Sequence, residues 1–148
     1  MSIPAGNPAK LVRVGNPNNP DFRVQEVADR LKFIEPTPVI VLAGAITQRA
    51  GKTMGGIARA ALNSGAVIID SGVGSCIEKF CLRKGLKLVG VCPEAQISYP
   101  KLSELHRKQN ELTNGHTELI IIGKEDGKVS YEWGHESALK YDFAKRVT

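Results

Sequence analysis

Gly65-Ala66-Val67-Ile68-Ile69-Asp70-Ser71-Gly72-Val73-Gly74-Ser75-Cys76-Ile77-Glu78 is the stretch that decides the fold. A glycine that stops one helix is followed by four apolar residues, an acid, a loop with two glycines, and the start of another helix. A short, unbroken apolar run marks a strand buried on both faces, as in a parallel sheet covered by helices. Upstream, Val39-Ile40-Val41-Leu42 is a second such run. It leads through a glycine-bearing loop, Gly44 to Gly51, into a helix expected over 52–63, with Ile57, Ala58, Ala61 and Leu62 on its buried face. Downstream, 86–91 supplies a third strand. Strand, glycine loop and helix recur in order, so the fold class is α/β, with a mainly parallel sheet and right-handed crossovers.

The flanks read differently. Residues 1–19, rich in Asn, Pro and Gly, form an N-terminal arm with a short strand at 11–14. Asn19-Pro20-Asp21 is a helix start, with Asn as cap and Pro at the first helical position. Val24, Val27, Ala28, Leu31 and Ile34 follow on one face, and Pro36 and Pro38 end the helix. Toward the C-terminus the pattern predicts a helix over 102–112, a strand over 118–122 and a strand over 129–133. The last two are expected to pair across Glu125-Asp126-Gly127. A terminal helix covers 137–147. One domain, 20–148, follows the arm.

Composition excludes several classes. At 148 residues, 42% hydrophobic and 24% charged, the chain is neither disordered nor fibrous. The net charge of +5 is diffuse, concentrated only at Lys79, Arg83, Lys84 and Lys87. Aromatic residues are too few for base-stacking platforms, which argues against a nucleic-acid partner. Cys76, Cys81 and Cys92 form no CxxC pair, and His106, His116 and His135 are scattered singly. Neither a metal site nor a disulfide framework is expected, and no cofactor. Free thiols suit a reducing compartment, and no stretch approaches the roughly 20 apolar residues of a membrane helix. The expected location is the cytoplasm, with no membrane partner.

Ligands of open parallel sheets lie beyond the carboxyl ends of the strands, where both glycine loops fall. Glycine lets backbone approach a phosphate, and the free N–H groups at a helix start attract anions. The plain alternative is that both loops are tight turns. Gly51-Lys52-Thr53 is no P-loop, because GxxxxGK[ST] needs glycine at 46, where Ile46 stands. Ser75 and Glu78 also have the spacing of a capping box, which needs no ligand.

The stretch from Ser71 to Glu78 resembles the GGxGTxxE loop of lonely-guy-type phosphoribohydrolases, with Ser71 for the first glycine and Ser75 for threonine. That resemblance implies phosphate held by the loop and Glu78 as the catalytic acid residue. A wider resemblance runs from Val39 to Ser137, to the prokaryotic ligand-sensing domain related to the N-terminal region of melastatin-type channels. It rests on Val39-Ile40-Val41-Leu42-Ala43-Gly44-Ala45, Gly65 to Gly72, Leu88-Val89-Gly90-Val91-Cys92-Pro93-Glu94, Gly115-His116-Thr117-Glu118-Leu119-Ile120-Ile121 and Trp133-Gly134-His135-Glu136-Ser137. Gly115 and His135 depart from that family's asparagine and aspartate, and its domains usually continue with another strand and a glycine-containing loop, an edge that a partner subunit could supply.

The resemblance implies a Rossmann-like three-layer sandwich that binds a nucleotide-derived, ADP-ribose-like compound as a ligand sensor. Gly44, Ala45, Ser71, Gly72, Val73, Gly74 and Ser75 would line the phosphate side, and Glu94, His116 and Glu136 the ribose or base. It also implies a homo-oligomer. Two alternatives stay open: a phosphoribohydrolase cleaving nucleoside monophosphates through Glu78, and an interaction module with a vestigial pocket.

Overall fold

Five strands form one sheet in the computed structural model, which describes residues 9–17, 22–43, 51–73, 77, 80–81, 85–97, 115–123 and 131–148. They are β1 (Lys10–Val14), β2 (Val39–Val41), β3 (Val67–Asp70), β4 (Leu88–Pro93) and β5 (Glu118–Ile122). Their order is β1-β5-β4-β3-β2, and each neighbouring pair is parallel. The architecture is α/β with a parallel sheet, as the alternation of buried strands and glycine loops predicts, and Rossmann-like, as the resemblance implies.

Side chains alternate across a strand, and here both faces are apolar. Val12, Val14, Val67, Ile69, Val89, Val91, Ile120 and Ile122 pack against α1 (Val24–Arg30) and α3 (Glu136–Val147). On the opposite face Ile68 and Leu88 meet Met54, Ala58 and Ala61 of α2 (Gly51–Ser64), together with the helical residues Ile77 and Cys81. Leu119, Ile121 and Cys92 continue that face toward Ala9 and Ile97. Each fully buried Ile or Leu stabilises the fold by about 1.5–3 kcal/mol relative to exposure. Among the described residues, no helix is long and apolar enough to cross a membrane.

Three expectations differ from what forms, the first being Leu62, which is expected on the buried face of α2 and is 50% exposed. The strand expected at 11–14 does form, paired in register with β5 from Lys10↔Glu118 to Val14↔Ile122. This placement removes the partner expected for 129–133, because β5 is hydrogen-bonded to β1 on one side and β4 on the other. No edge of β5 remains for a hairpin. Tyr131 and Glu132 accordingly have no regular structure, and Trp133–His135 form a turn with Trp133 exposed.

The third difference is α1. It starts at Val24, with Arg23 in extended conformation before it, and it ends at Leu31 as Lys32 turns to a positive φ of 62°. Ile34, expected on its apolar face, lies past that turn and is 81% exposed. The expected start at Asn19-Pro20-Asp21, the helix over 102–112 and the turn at 125–127 lie outside the described residues.

Candidate functional site

The carboxyl edge of the sheet carries a topological switch point. After β3 the chain passes to the α2 face, where Ile77 and Cys81 are buried. After β4, a 3-10 turn at Glu94–Gln96 leads to Ile97, packed with Cys92 and Ile121 on that same face. After β5 the chain reaches α3 on the opposite face. The two connections part between β4 and β5, and such a parting is where an open parallel sheet places its ligand crevice.

Beside it, the end of β3 is held by Asp70. Asp70 is 1% exposed, and its Oδ1 accepts the backbone N–H of Gly72 at 2.8 Å, closing a tight turn. Gly72 sits at φ 81°, a conformation glycine adopts freely. Ser71 and Val73 flank it, half-buried, with Ser71 Oγ 3.5 Å from the Val73 carbonyl.

The same Asp70 oxygen lies 2.8 Å from Nε2 of His116, which is 1% exposed. A carboxylate only accepts, so the proton of this contact is carried by Nε2. His116 comes just before β5, and β4 lies between β5 and β3. Gly90 of β4 makes the crossing possible. A Cβ there would lie 2.9 Å from Gly72 Cα, 2.9 Å from Leu119 Cδ2 and 3.0 Å from His116 Cδ2. The absent side chain is the passage through which His116 reaches Asp70.

At the crevice, Glu94 follows β4 and is gripped from β1. Arg13 Nε donates to Glu94 Oε2 at 3.0 Å and Nη2 to Oε1 at 2.6 Å, a forked pair. The pair spans the end of β5, where Gly123 leaves room: a Cβ at 123 would lie 2.9 Å from Glu94 Oε2. Glu136, 6% exposed at the first position of α3, accepts the Gly134 N–H on Oε2 at 2.7 Å. His135 Nδ1 accepts the Glu132 N–H at 2.9 Å, so this segment is knitted by its own side chains.

These groups meet electrostatically at Cys92. Burial first, then the Asp70 and Glu136 carboxylates, with a smaller contribution from Glu94, push its thiol up to about 12, while Lys140 pulls it down. Cys92 is therefore a neutral thiol near pH 7, unsuited to nucleophilic attack. Among the described residues, no cluster of His, Cys, Asp and Glu could hold a metal ion. A cleft of about 270 Å³ also opens beside β1, lined by Arg13, Gly15, Asn16, Phe22 and Arg30 among others. It lies beside β1, with β5 and β4 between it and the β3 turn, and adds no chemistry to that turn.

Of the residues expected in the site, Ser71, Gly72, Val73, Glu94, His116 and Glu136 are described; Ser71, Gly72, Val73 and Glu94 follow the carboxyl ends of β3 and β4, Glu136 opens α3, and His116 precedes the amino end of β5. Gly72 and His116 converge on Asp70; Glu94 is separately held by Arg13. Gly44, Ala45, Gly74, Ser75 and Glu78 lie outside the described residues. The chain nevertheless leaves β2 and β3 at the same sheet edge, because the two strands run parallel with Val41 opposite Ile69. Three residues were not singled out in the sequence. Asp70 reads in the sequence only as a strand end, although an acid closing an apolar strand before glycine is the available signal. Arg13 and Lys140 carry no local signal, because their roles depend on elements distant in the chain.

A Rossmann-like α/β domain with a buried Asp–His pair under a glycine turn, beside a switch-point crevice, defines the class of protein. The family model described as "SLOG in TRPM, prokaryote" matches residues 37–148, and the chain belongs to that family. Membership places it among lonely-guy-like folds associated with nucleotide-related ligands. No curated protein matches the chain. The match begins after β1 and α1, so the strand carrying Arg13 lies outside it.

Proposed function

We propose that the chain binds a nucleotide-derived phosphate compound, with ADP-ribose the leading class, over the carboxyl edge of the sheet, and that it acts as a ligand sensor. The observation that carries this reading is the Gly72 turn. Its backbone is fixed by a buried carboxylate, it leaves the sheet on the same edge as the Gly44 loop, and it precedes a helical segment. Fixed backbone ahead of a helical segment suits an anion, since no conformational freedom is lost when the anion arrives. The crevice at Glu94 gives the rest of the ligand a place to lie, and a carboxylate there accepts from ribose hydroxyls.

Titration calorimetry of the full chain with ADP-ribose, cyclic ADP-ribose, NAD and AMP tests the reading. It expects micromolar or tighter binding of at least one compound; silence from all four would overturn it. Chromatography of the AMP mixture separates sensor from enzyme, because release of free adenine that is lost in Glu78→Gln would favour the phosphoribohydrolase. Oligomeric state belongs to the same proposal, and native mass spectrometry reads it together with any co-purified ligand.

A further inference from the structure

Lys140 is 6% exposed, a depth at which lysine is rare unless paired. Its ammonium group makes no hydrogen bond or ion pair with any described residue. It lies on the inward stripe of α3, one turn from Glu136 and one turn before the core residues Phe143 and Ala144. The direction of α3 sets where its side chain leads. Tyr131, shortly before the helix, places its hydroxyl 3.4 Å from the Gly15 carbonyl at the carboxyl end of β1. At the far end, the Val147 carbonyl accepts the Thr37 N–H ahead of β2. The helix therefore descends from the carboxyl edge to the amino edge of the sheet. Helical side chains tilt back toward the helix N-terminus. Lys140 leans toward Glu136 and the ends of the strands, and its charge is felt at Cys92 near the end of β4.

The acids nearby are already engaged. Asp70 accepts from Gly72 and contacts His116, Glu94 is held by Arg13, and Glu136 accepts from Gly134. A cation covered by protein with no direct partner is costly, and proteins place such groups where an incoming counter-charge completes them. The N-terminus of α3, a helix of 12 residues, adds its positive end to the same spot.

We infer that Lys140 is an anion-binding residue of the site, supplying the cationic contact for a phosphate group of the bound compound. The phosphate is identified through the reading above; the unpaired buried charge stands independently of it. Nothing in the family match marks Lys140, and the sequence shows it only as one more helical lysine.

The test sets stability against binding. In the full chain without ligand, Lys140→Met removes a buried charge while keeping the stem, so its melting temperature should equal or exceed the parent's. Sodium pyrophosphate should raise the melting temperature of the parent and not of Lys140→Met, with affinity falling roughly 10- to 100-fold, the size of a charge-assisted hydrogen bond. Lys140→Arg should keep part of the response. A ligand-free Lys140→Met that melts lower or fails to fold would mean the lysine holds the fold, which overturns the inference. So would an undiminished pyrophosphate response in that variant, or no response in the parent. A parent that responds to pyrophosphate but to none of the four nucleotides would overturn the proposed function and leave Lys140 standing; the reverse pattern would overturn Lys140 alone.

Discussion

Gly90→Ala tests the central geometric claim, that the body of the site is built through a gap in β4. The added Cβ would stand 2.9 Å from Gly72 Cα, 2.9 Å from Leu119 Cδ2 and 3.0 Å from His116 Cδ2. Ordinary carbon contacts are about 3.5–4.0 Å, so each neighbour must retreat by roughly 0.5–1 Å. None does so cheaply. Gly72 is backbone tied to Asp70 at 2.8 Å, and Leu119 and His116 are at most 1% exposed, with nowhere to swing. Overpacking of this kind costs about 1–3 kcal/mol. Gly90 does not have a positive φ, so alanine recovers about 0.4–1 kcal/mol by restricting the unfolded chain.

The net expectation is a loss of about 1–2 kcal/mol. For a chain of 148 residues that is roughly 3–8 °C in melting temperature. Thermal and urea unfolding measure it. Calorimetry should show a parallel loss of affinity, because the displaced Gly72 is the proposed anion turn. A Gly90→Ala protein as stable as its parent, with unchanged binding, would refute the reasoning and mean the Asp70–His116 crossing is loose.

Two further outcomes follow from the charged groups. Arg13→Ala breaks a partly exposed pair, so it should cost under about 1 kcal/mol of stability; affinity for ADP-ribose should nevertheless fall several-fold, and an unchanged dissociation constant in calorimetry would remove Glu94 from the site. Glu118, buried at the start of β5, is held above its ordinary 4.5 by burial, partly offset by the Thr117 hydroxyl and by Lys87 and Lys10. With the folded value raised, the folded state binds the extra proton, and stability present below pH 4.5 is lost as pH rises through the folded value. Glu118→Gln should therefore melt higher than the parent at pH 7, with the gap closing below pH 4.5; a gap independent of pH would contradict it.

Local pattern was enough for β2, β3, β4 and β5, for α2 and for α3, each within about two residues. Continuous apolar runs and glycine punctuation are properties of neighbouring residues, and a strand buried on both faces shows in its own composition. The parallel sheet follows, since strands separated by helices return in the same direction. The same local logic placed Gly72 at the carboxyl edge, because a loop after a parallel strand has no other place to be, whereas Glu94 came into view through the family resemblance.

What local pattern does not contain is the identity of each strand's neighbour. Only tertiary pairing put β1 beside β5, and that one choice displaced the expected hairpin at 129–133 and carried Arg13 to Glu94, 81 residues away. Asp70 and His116, 46 residues apart, became a pair only because the strand between them has glycine where they cross. Lys140 looks like any helical lysine until the descent of α3 turns it inward. Residue pattern alone marks the five strands of the sheet and the edge that carries their loops, since both depend on hydrophobic burial along short stretches, but it does not say whether 129–133 pairs. Sheet order, the crossing at Gly90 and the burial of Lys140 were decided by the folded chain alone, because they depend on contacts between residues no local window contains.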